Sequence, residues 1–333
     1  MKFLVVGLGS MGKRRIRNLQ YLKEKDIIGF DMREDRRKEA QEKYGIKTFG
    51  NIDEVMKQNP GALIISTPPN YHMEYELLAA KNSKHFFCEA GVFTEKLEEL
   101  IKLCKKNKIV AAPSCTFRFN GSVKIIKKLV DENRIGKIVS LTYHLGQYLP
   151  DWHPWEDITE FYVGQKDTAA TREMVPFELE WITWIFGDIK RISCIKGKMS
   201  SLKADIDDVY QLILEFKNKI IGNYLVEVIS RTPTRIMRII GEEGTIEWDW
   251  MSDTVKVYDA KTKKWEELKE EQGFKEKGYV AKEGMYIEEI KHFLNAIAGK
   301  EKYMYTLEDD KRILGLLEAC EKSAKEGRHI IIK

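Results

Sequence analysis

The sequence predicts an α/β protein: a doubly wound parallel sheet in residues 1–118, then an α+β domain in residues 119–333 carrying a large, mostly antiparallel open sheet. Three observations predict it. Apolar, β-branched runs alternate with helix-length segments as far as residue 118, the mark of a parallel sheet with helices on both faces. A Gly-x-Gly-x-x-Gly triplet stands between the first strand and the first helix. Beyond residue 118 helices become scarce, and extended stretches alternate apolar with polar residues, as in antiparallel sheets with one packed face.

The first element is residues 3–6, Phe-Leu-Val-Val, which reads as a buried parallel strand; residues 13–22 open a helical pattern. Between them, Gly7 permits a tight turn. Gly9, with Ser10 and Met11 behind it, lets backbone amides approach a pyrophosphate, and Gly12 lets helix and strand pack closely. Unpaired N–H groups and the helix dipole favour an anion there. The second strand, residues 27–30, ends on Asp31, which is 31 − 12 = 19 residues after the last glycine. A carboxylate at that spacing accepts hydrogen bonds from the adenosine ribose. The alternative is an ordinary βαβ turn with an incidental Asp. Strand, glycines, helix and acid agree instead on a Rossmann dinucleotide-binding domain. Asp31 favours NAD, while Arg33, Arg36 and Arg37 leave NADP admissible.

Helices follow at 33–44, 52–58, 73–81 and 94–107, and strands at 45–49, 62–66, 85–88 and 109–112. Ligands of such sheets lie at the strands' C-terminal ends, where Thr67, Pro68, Asn70, His72 and Glu89 fall. These join the candidate cofactor contacts, with Arg118 at the domain junction. His72 serves equally well as a helix cap, and Arg118 better as a structural salt bridge. The second domain reads as a helix at 121–133, a long strand at 137–148, an aromatic, polar loop and a helix at 175–186. Strands are expected at 189–199, 207–216, 220–230, 235–241, 245–250 and 255–258, then helices at 285–298 and 307–326 and a last strand at 329–332. Residues 261–277 read as a solvated loop or helix, Trp181 and Trp184 as core, and Trp248 with Trp250 as a contact between subunits of a homodimer or homotetramer.

Composition narrows the classes. The chain is 43% hydrophobic and 32% charged, with no apolar run near the roughly 18 residues of a membrane span. Its N-terminus enters a strand without a leader pattern, so the cytoplasm is expected. Five scattered cysteines lack a Cys-x-x-Cys pair and read as buried thiols, with no metal site. The net charge of +4 comes from 56 basic and 52 acidic residues mixed along the chain, which argues for neither nucleic acid nor membrane.

The glycine loop, Thr67-Pro68 with His72, the strand ending at Glu89, Arg118-Phe119-Asn120, Gly136-Lys137-Ile138 and Ser323-Ala-Lys-Glu-Gly327 together resemble the Gfo/Idh/MocA family of NAD(P)-dependent oxidoreductases. The resemblance covers nearly the whole chain. It implies oxidation or reduction of carbinol carbons on sugars, cyclitols or nucleotide sugars. It breaks at the proton-handling residues. Family members typically carry Glu-Lys-Pro where this chain has Glu89-Ala90-Gly91, and Asp-x-x-x-His where it has Glu173 and Phe177, with Glu180 at a second acidic position. An alcohol losing hydride needs a base on its hydroxyl, and phenylalanine cannot act as one.

The segment 150–173 can compensate: it holds Asp151, Trp152, His153, Trp155, Phe161, Tyr162, Lys166, Arg172 and Glu173. Aromatic faces stack on sugar rings or bases, and cations clamp phosphate or carboxylate. Glu173 is the first candidate for the proton, then His153 or Tyr162, with Lys166 and Arg172 holding an anionic part of the substrate. The bland alternative is a loop whose tryptophans bury themselves and whose charges are solvated. The loop is also similar to oxidoreductases of surface-sugar (nonulosonic acid) pathways. Three readings remain open: a sugar or nucleotide-sugar oxidoreductase, a lyase, hydrolase or epimerase that retains NAD, and a cofactor-binding sensor or partner subunit.

Overall fold

The computed structural model describes residues 1–152, 154, 156–269, 273–276 and 282–332. The chain divides into two compact units, Met1–Phe119 with Gly273–Arg312, and Asn120–Gln272 with Ile313–Lys333.

In the first unit the elements follow as β1 (Phe3–Val6), α1 (Ser10–Tyr21), β2 (Ile27–Phe30), α2 (Glu34–Tyr44), β3 (Lys47–Phe49), α3 (Ile52–Met56), β4 (Ala62–Ile65), α4 (His72–Lys81), β5 (His85–Cys88), α5 (Leu97–Asn107) and β6 (Ala111–Pro113). The strands are parallel in the order β3-β2-β1-β4-β5-β6, with Val6 level with Phe30 on one side and Ile65 on the other. The order reverses at β1 and β4, the switch point where such sheets take ligands. β1, β2 and β4 are buried along their whole length, which is why they read as unbroken apolar runs. Residues 273–312 join this unit, correcting the expected boundary at which everything after residue 118 was one domain. Ile290 and Phe293 of a later helix complete the core of Val5, Ile64 and Phe87, a burial invisible to local pattern.

The second unit holds α6 (Gly121–Asp131), β7 (Ile138–Gly146), α7 (Ala170–Phe186), β8 (Ile189–Gly197), β9 (Val209–Phe216), β10 (Ile221–Glu227), β11 (Thr234–Gly241), β12 (Gly244–Asp249), β13 (Thr254–Asp259) and β14 (Lys264–Leu268). α8 (Gly284–Ile297) belongs to the first unit, α9 (Leu307–Glu326) starts in the first and ends in the second, and β15 (Ile330–Ile331) closes the sheet. The order is β14-β13-β12-β11-β7-β10-β9-β8-β15, antiparallel except for the β7–β10 pair. β14 takes residues 264–268 of the stretch expected as loop or helix at 261–277, of which residues 270–272 and 277 lie outside the described residues. Its side chains are mostly exposed, so an edge strand wears the composition of a loop.

Trp248 also departs from expectation. It is 2% exposed, edge-on to Trp181 at 5.8 Å and parallel to Tyr143 at 6.5 Å. Its register opposite Met237 and Val255 turns it onto the packed face, so it is core and no subunit contact. Among the described residues, no helix is long and apolar enough to cross a membrane, and the five cysteines are free and buried.

Candidate active site

Two glycines of the loop, Gly7 and Gly12, are closed to any larger residue. At Gly7, with φ +86°, a Cβ would meet the Ser66 carbonyl oxygen at 2.8 Å; at Gly12 it would meet the Gly7 oxygen at 1.8 Å. Gly9, as N-cap of α1, supplies no capping side chain, and the first turn holds no acid. Backbone N–H groups at this helix start therefore face neither a side-chain acceptor of the cap nor a repelling carboxylate. Asp31 is buried at the end of β2, accepting from the Leu8 N–H and the Arg33 N–H, both at 2.8 Å. Of the three arginines behind it, Arg33 turns away to Asp35 at 2.6 Å and Arg37 donates to the Asp31 and Met32 carbonyls. Arg36 instead leans over the loop, 3.8 Å from Asp31 Oδ2 and 3.4 Å from where a Cβ on Gly9 would lie. Glycine cradle, helix start and buried acid fit a dinucleotide.

At the neighbouring strand ends, Thr67 and Pro68 leave β4, Asn70 sits exposed in a short turn, and His72 starts α4. His72 Nε2 lies 2.8 Å from the Thr67 carbonyl, and burial pulls the imidazole pKa down. The neutral ring thus donates from Nε2. Among the described residues its Nδ1 has no hydrogen-bond partner, and it lies 3.8 Å from where a Cβ on Gly91 would be. The carboxylate of Glu89, expected as a cofactor contact, is engaged by an arginine. Arg15 Nε and Nη2 grip both its oxygens at 2.7 and 2.9 Å, and the same guanidinium reaches Glu289 at 2.9 Å and lies over the Phe87 ring. Burial opposes the Arg15 charge, yet Glu89 and Glu289 outweigh it and raise its pKa. Glu89 is thereby a strut beneath the β5 terminus. Sequence reading missed this cluster because Glu289 is contributed from far along the chain. Arg118 is buried over the Tyr305 ring at 4.9 Å and donates to the Met304 carbonyl at 3.3 Å, both within the first unit.

In the second unit α7 starts at Ala170, five residues before the expected helix, so Arg172 and Glu173 lie in a helical turn and not in a loop. Arg172 is committed to Glu321 at 2.6 Å and to the Asp167 carbonyl at 2.8 Å. The guanidinium expected as a clamp for an anionic substrate group is thus engaged within the protein. Lys166 remains exposed on a short turn before the helix. Trp152, Phe161 and Tyr162 pack on a small core of Leu149, Val163, Leu202 and Ile206, so much of the loop's aromatic surface folds the loop itself. His153 and Trp155 lie outside the described residues. The buried acid that sequence reading overlooked is Glu178, accepting from Tyr143 Oη at 2.6 Å, Trp181 Nε1 at 2.7 Å and Arg235 Nη2 at 2.7 Å. Its signal was a carboxylate on the apolar side of a helix.

A family model described as an oxidoreductase family with an NAD-binding Rossmann fold matches residues 1–113, and one for the GFO/IDH/MocA C-terminal domain matches residues 123–247. The chain belongs to the Gfo/Idh/MocA family. It is an NAD(P)-dependent oxidoreductase, and NAD is its cofactor. It is similar to myo-inositol 2-dehydrogenase of Thermotoga maritima, 24% identical over 99% of this chain and 98% of that one. It is also similar to glucose-6-phosphate 3-dehydrogenase of Bacillus subtilis, 22% identical over 69% and 68%. Among solved structures, levoglucosan dehydrogenase in complex with NADH and levoglucosan superposes with a TM-score of 0.87 at 17% identity, covering 100% of this chain and 99% of that one. In this oxidoreductase Ala90 and Phe177, at the positions where the resemblance implies a lysine and a histidine, cannot carry a proton. Among its described residues no cluster of three or more His, Cys, Asp or Glu is placed to hold a metal.

Proposed function

We propose that this oxidoreductase interconverts a carbinol and a carbonyl carbon on a sugar or nucleotide sugar, in surface-sugar biosynthesis in the cytoplasm, with Glu173 handling the hydroxyl proton. The observation that carries the reading is the glycine cradle with the buried Asp31 at the switch point. Relatives named for myo-inositol, glucose 6-phosphate and levoglucosan support a polyol or sugar substrate. NAD, when bound, accepts or returns the hydride.

The chain's own part is to bind, orient and move the proton. Glu173 sits half-buried in the first turn of α7, where the helix N-terminus favours negative charge and so the base form. A carboxylate there takes the proton as hydride leaves. Tyr162, half-buried beside Phe161 at 4.8 Å, offers a second hydroxyl donor. The exposed Lys166 suits the phosphate of a nucleotide sugar as a mobile point charge. Association into a homodimer or homotetramer is part of the same reading, supported by exposed Ile213 and Ile236 on the sheet.

The test is turnover with NAD across a panel of polyols, sugar phosphates and nucleotide sugars. Glu173→Gln should lower kcat about 10²-fold on the accepted substrate with NAD affinity unchanged, as loss of acid–base catalysis requires. Full activity of Glu173→Gln removes the assignment of the base. Turnover without net NADH formation replaces the dehydrogenase with the NAD-retaining reading.

A further inference from the structure

Beside the last strand of the parallel sheet lies a cavity whose lining includes neither the glycine loop nor Asp31. It measures about 380 Å³ and is walled by the end of α5, the turn into β6 and the segment joining α8 to α9. Its walls run from Ile101 to Ala111 and from Ala296 to Glu308, so it belongs wholly to the first unit. The glycine loop and Asp31 follow strand ends, whereas residues 108–111 lead into the start of β6. In a parallel sheet those are opposite edges, and the cavity is separate from the dinucleotide cradle.

Its chemistry is divided between apolar lining and lip. Ile101, Ile109, Val110 and Ala296 contribute apolar lining. Two tyrosine rings beside it are already fixed in place. Tyr303 stacks on His292 at 4.9 Å and donates to the Pro113 carbonyl at 3.0 Å, and Tyr305 donates to Asp310 at 3.0 Å. Both acids at the lip are engaged: Glu308 pairs with Lys105 at 2.5 Å, and Glu301 accepts from Asn295 at 2.8 Å and faces His292 at 3.1 Å. Lys108 and Lys302 are exposed and, among the described residues, have no anionic partner. Apolar slots of a few hundred cubic ångströms with a few polar groups at fixed places are what small ligands occupy. Two unneutralised ammonium groups at the mouth set the sign of the charge.

We propose that this cavity is a second ligand site, taking a small aromatic or alicyclic anion (a carboxylate, sulfonate or phosphate ester) independently of the dinucleotide. The test is a fluorescence titration of the whole chain with 8-anilinonaphthalene-1-sulfonate in saturating NAD, which occupies the cradle. A saturable step should persist in NAD. It should weaken by about tenfold or more in Lys108→Glu/Lys302→Glu, roughly 1.4 kcal/mol. The control Lys25→Glu/Lys57→Glu moves the same charge at exposed positions elsewhere and should leave affinity within about twofold. Melting curves check that both variants are folded, as exposed lysines allow. Displacement by NAD, equal weakening in the two variants, or no saturable step overturns the proposal.

Discussion

Asp31 shows how one side chain does two things. Its oxygens accept from the Leu8 and Arg33 N–H groups, which fixes the carboxylate at the lip of the glycine cradle, where it can meet a ribose diol and repel a 2′-phosphate. Arg36, close to the same oxygen, pulls the other way, since a guanidinium pairs readily with phosphate. A carboxylate fixed by two backbone donors outweighs one partly exposed arginine. Calorimetry should therefore find NADH bound more tightly than NADPH, and Arg36→Ala should widen the gap by weakening NADPH alone. Tenfold tighter binding of NADPH by the native chain, about 1.4 kcal/mol, would contradict this.

Two helices carry predictions of their own. α7 contains Pro176, which deprives the Arg172 carbonyl of its helical donor and loosens the turn that holds Glu173. Side chains restrain that turn: Thr171 Oγ1 donates to the Asp207 carbonyl at 2.5 Å and Tyr224 Oη to the Met174 carbonyl at 3.0 Å. Below the proline, Glu178 fastens the helix to the sheet through Arg235. Both are buried, so Glu178→Ala strands a guanidinium and should cost about 3–5 kcal/mol in denaturant unfolding. α4 contributes Glu76, buried, whose pKa is pushed up to about 8 by burial and then by Asp310; Asp310 itself is raised to about 7, chiefly by burial. In the unfolded chain such groups ionise near pH 4–4.5. The folded state thus holds protons that the unfolded state releases. This contribution is complete below that range and is lost as pH rises toward 8. Glu76→Gln should melt higher than the native chain at pH 8.5 and close to it at pH 5; the reverse order would refute the burial argument.

At the scale of the whole molecule, the nine-stranded sheet has one face covered by α7 and another carrying Ile213 and Ile236, 57% and 44% exposed. Scattered apolar residues are ordinary on a surface, yet a sheet face bearing several is a common place for copies to meet. Light scattering at micromolar concentration should give a dimer or tetramer, and Ile213→Asp with Ile236→Asp should shift it to smaller species. Trp248→Glu, by contrast, should unfold the second unit, because it places a charge among Tyr143, Trp181 and Val255. A monomeric native chain would remove the association proposal while leaving the dinucleotide site untouched.

Local signals were enough for the parallel sheet, the glycine cradle and Asp31. The glycine motif and Asp31 lie within about thirty positions of one another, and burial on both faces prints an unbroken apolar run into each strand of the sheet. The alternating strands of the second unit were legible for the same reason, since one packed face imposes a period of two. What tertiary structure alone decided lies in contacts between distant segments. Arg15 joins Glu89 to Glu289, Arg172 is claimed by Glu321, and Ile290 with Phe293 completes the core of a sheet whose strands ended long before. Trp248 carries the same lesson: period two states that a strand has two faces, but only the pairing of β12 with β11 and β13 states which one meets the helix. Sequence determines the chemistry each residue can offer, and long-range packing determines which of those groups are already spent holding the fold.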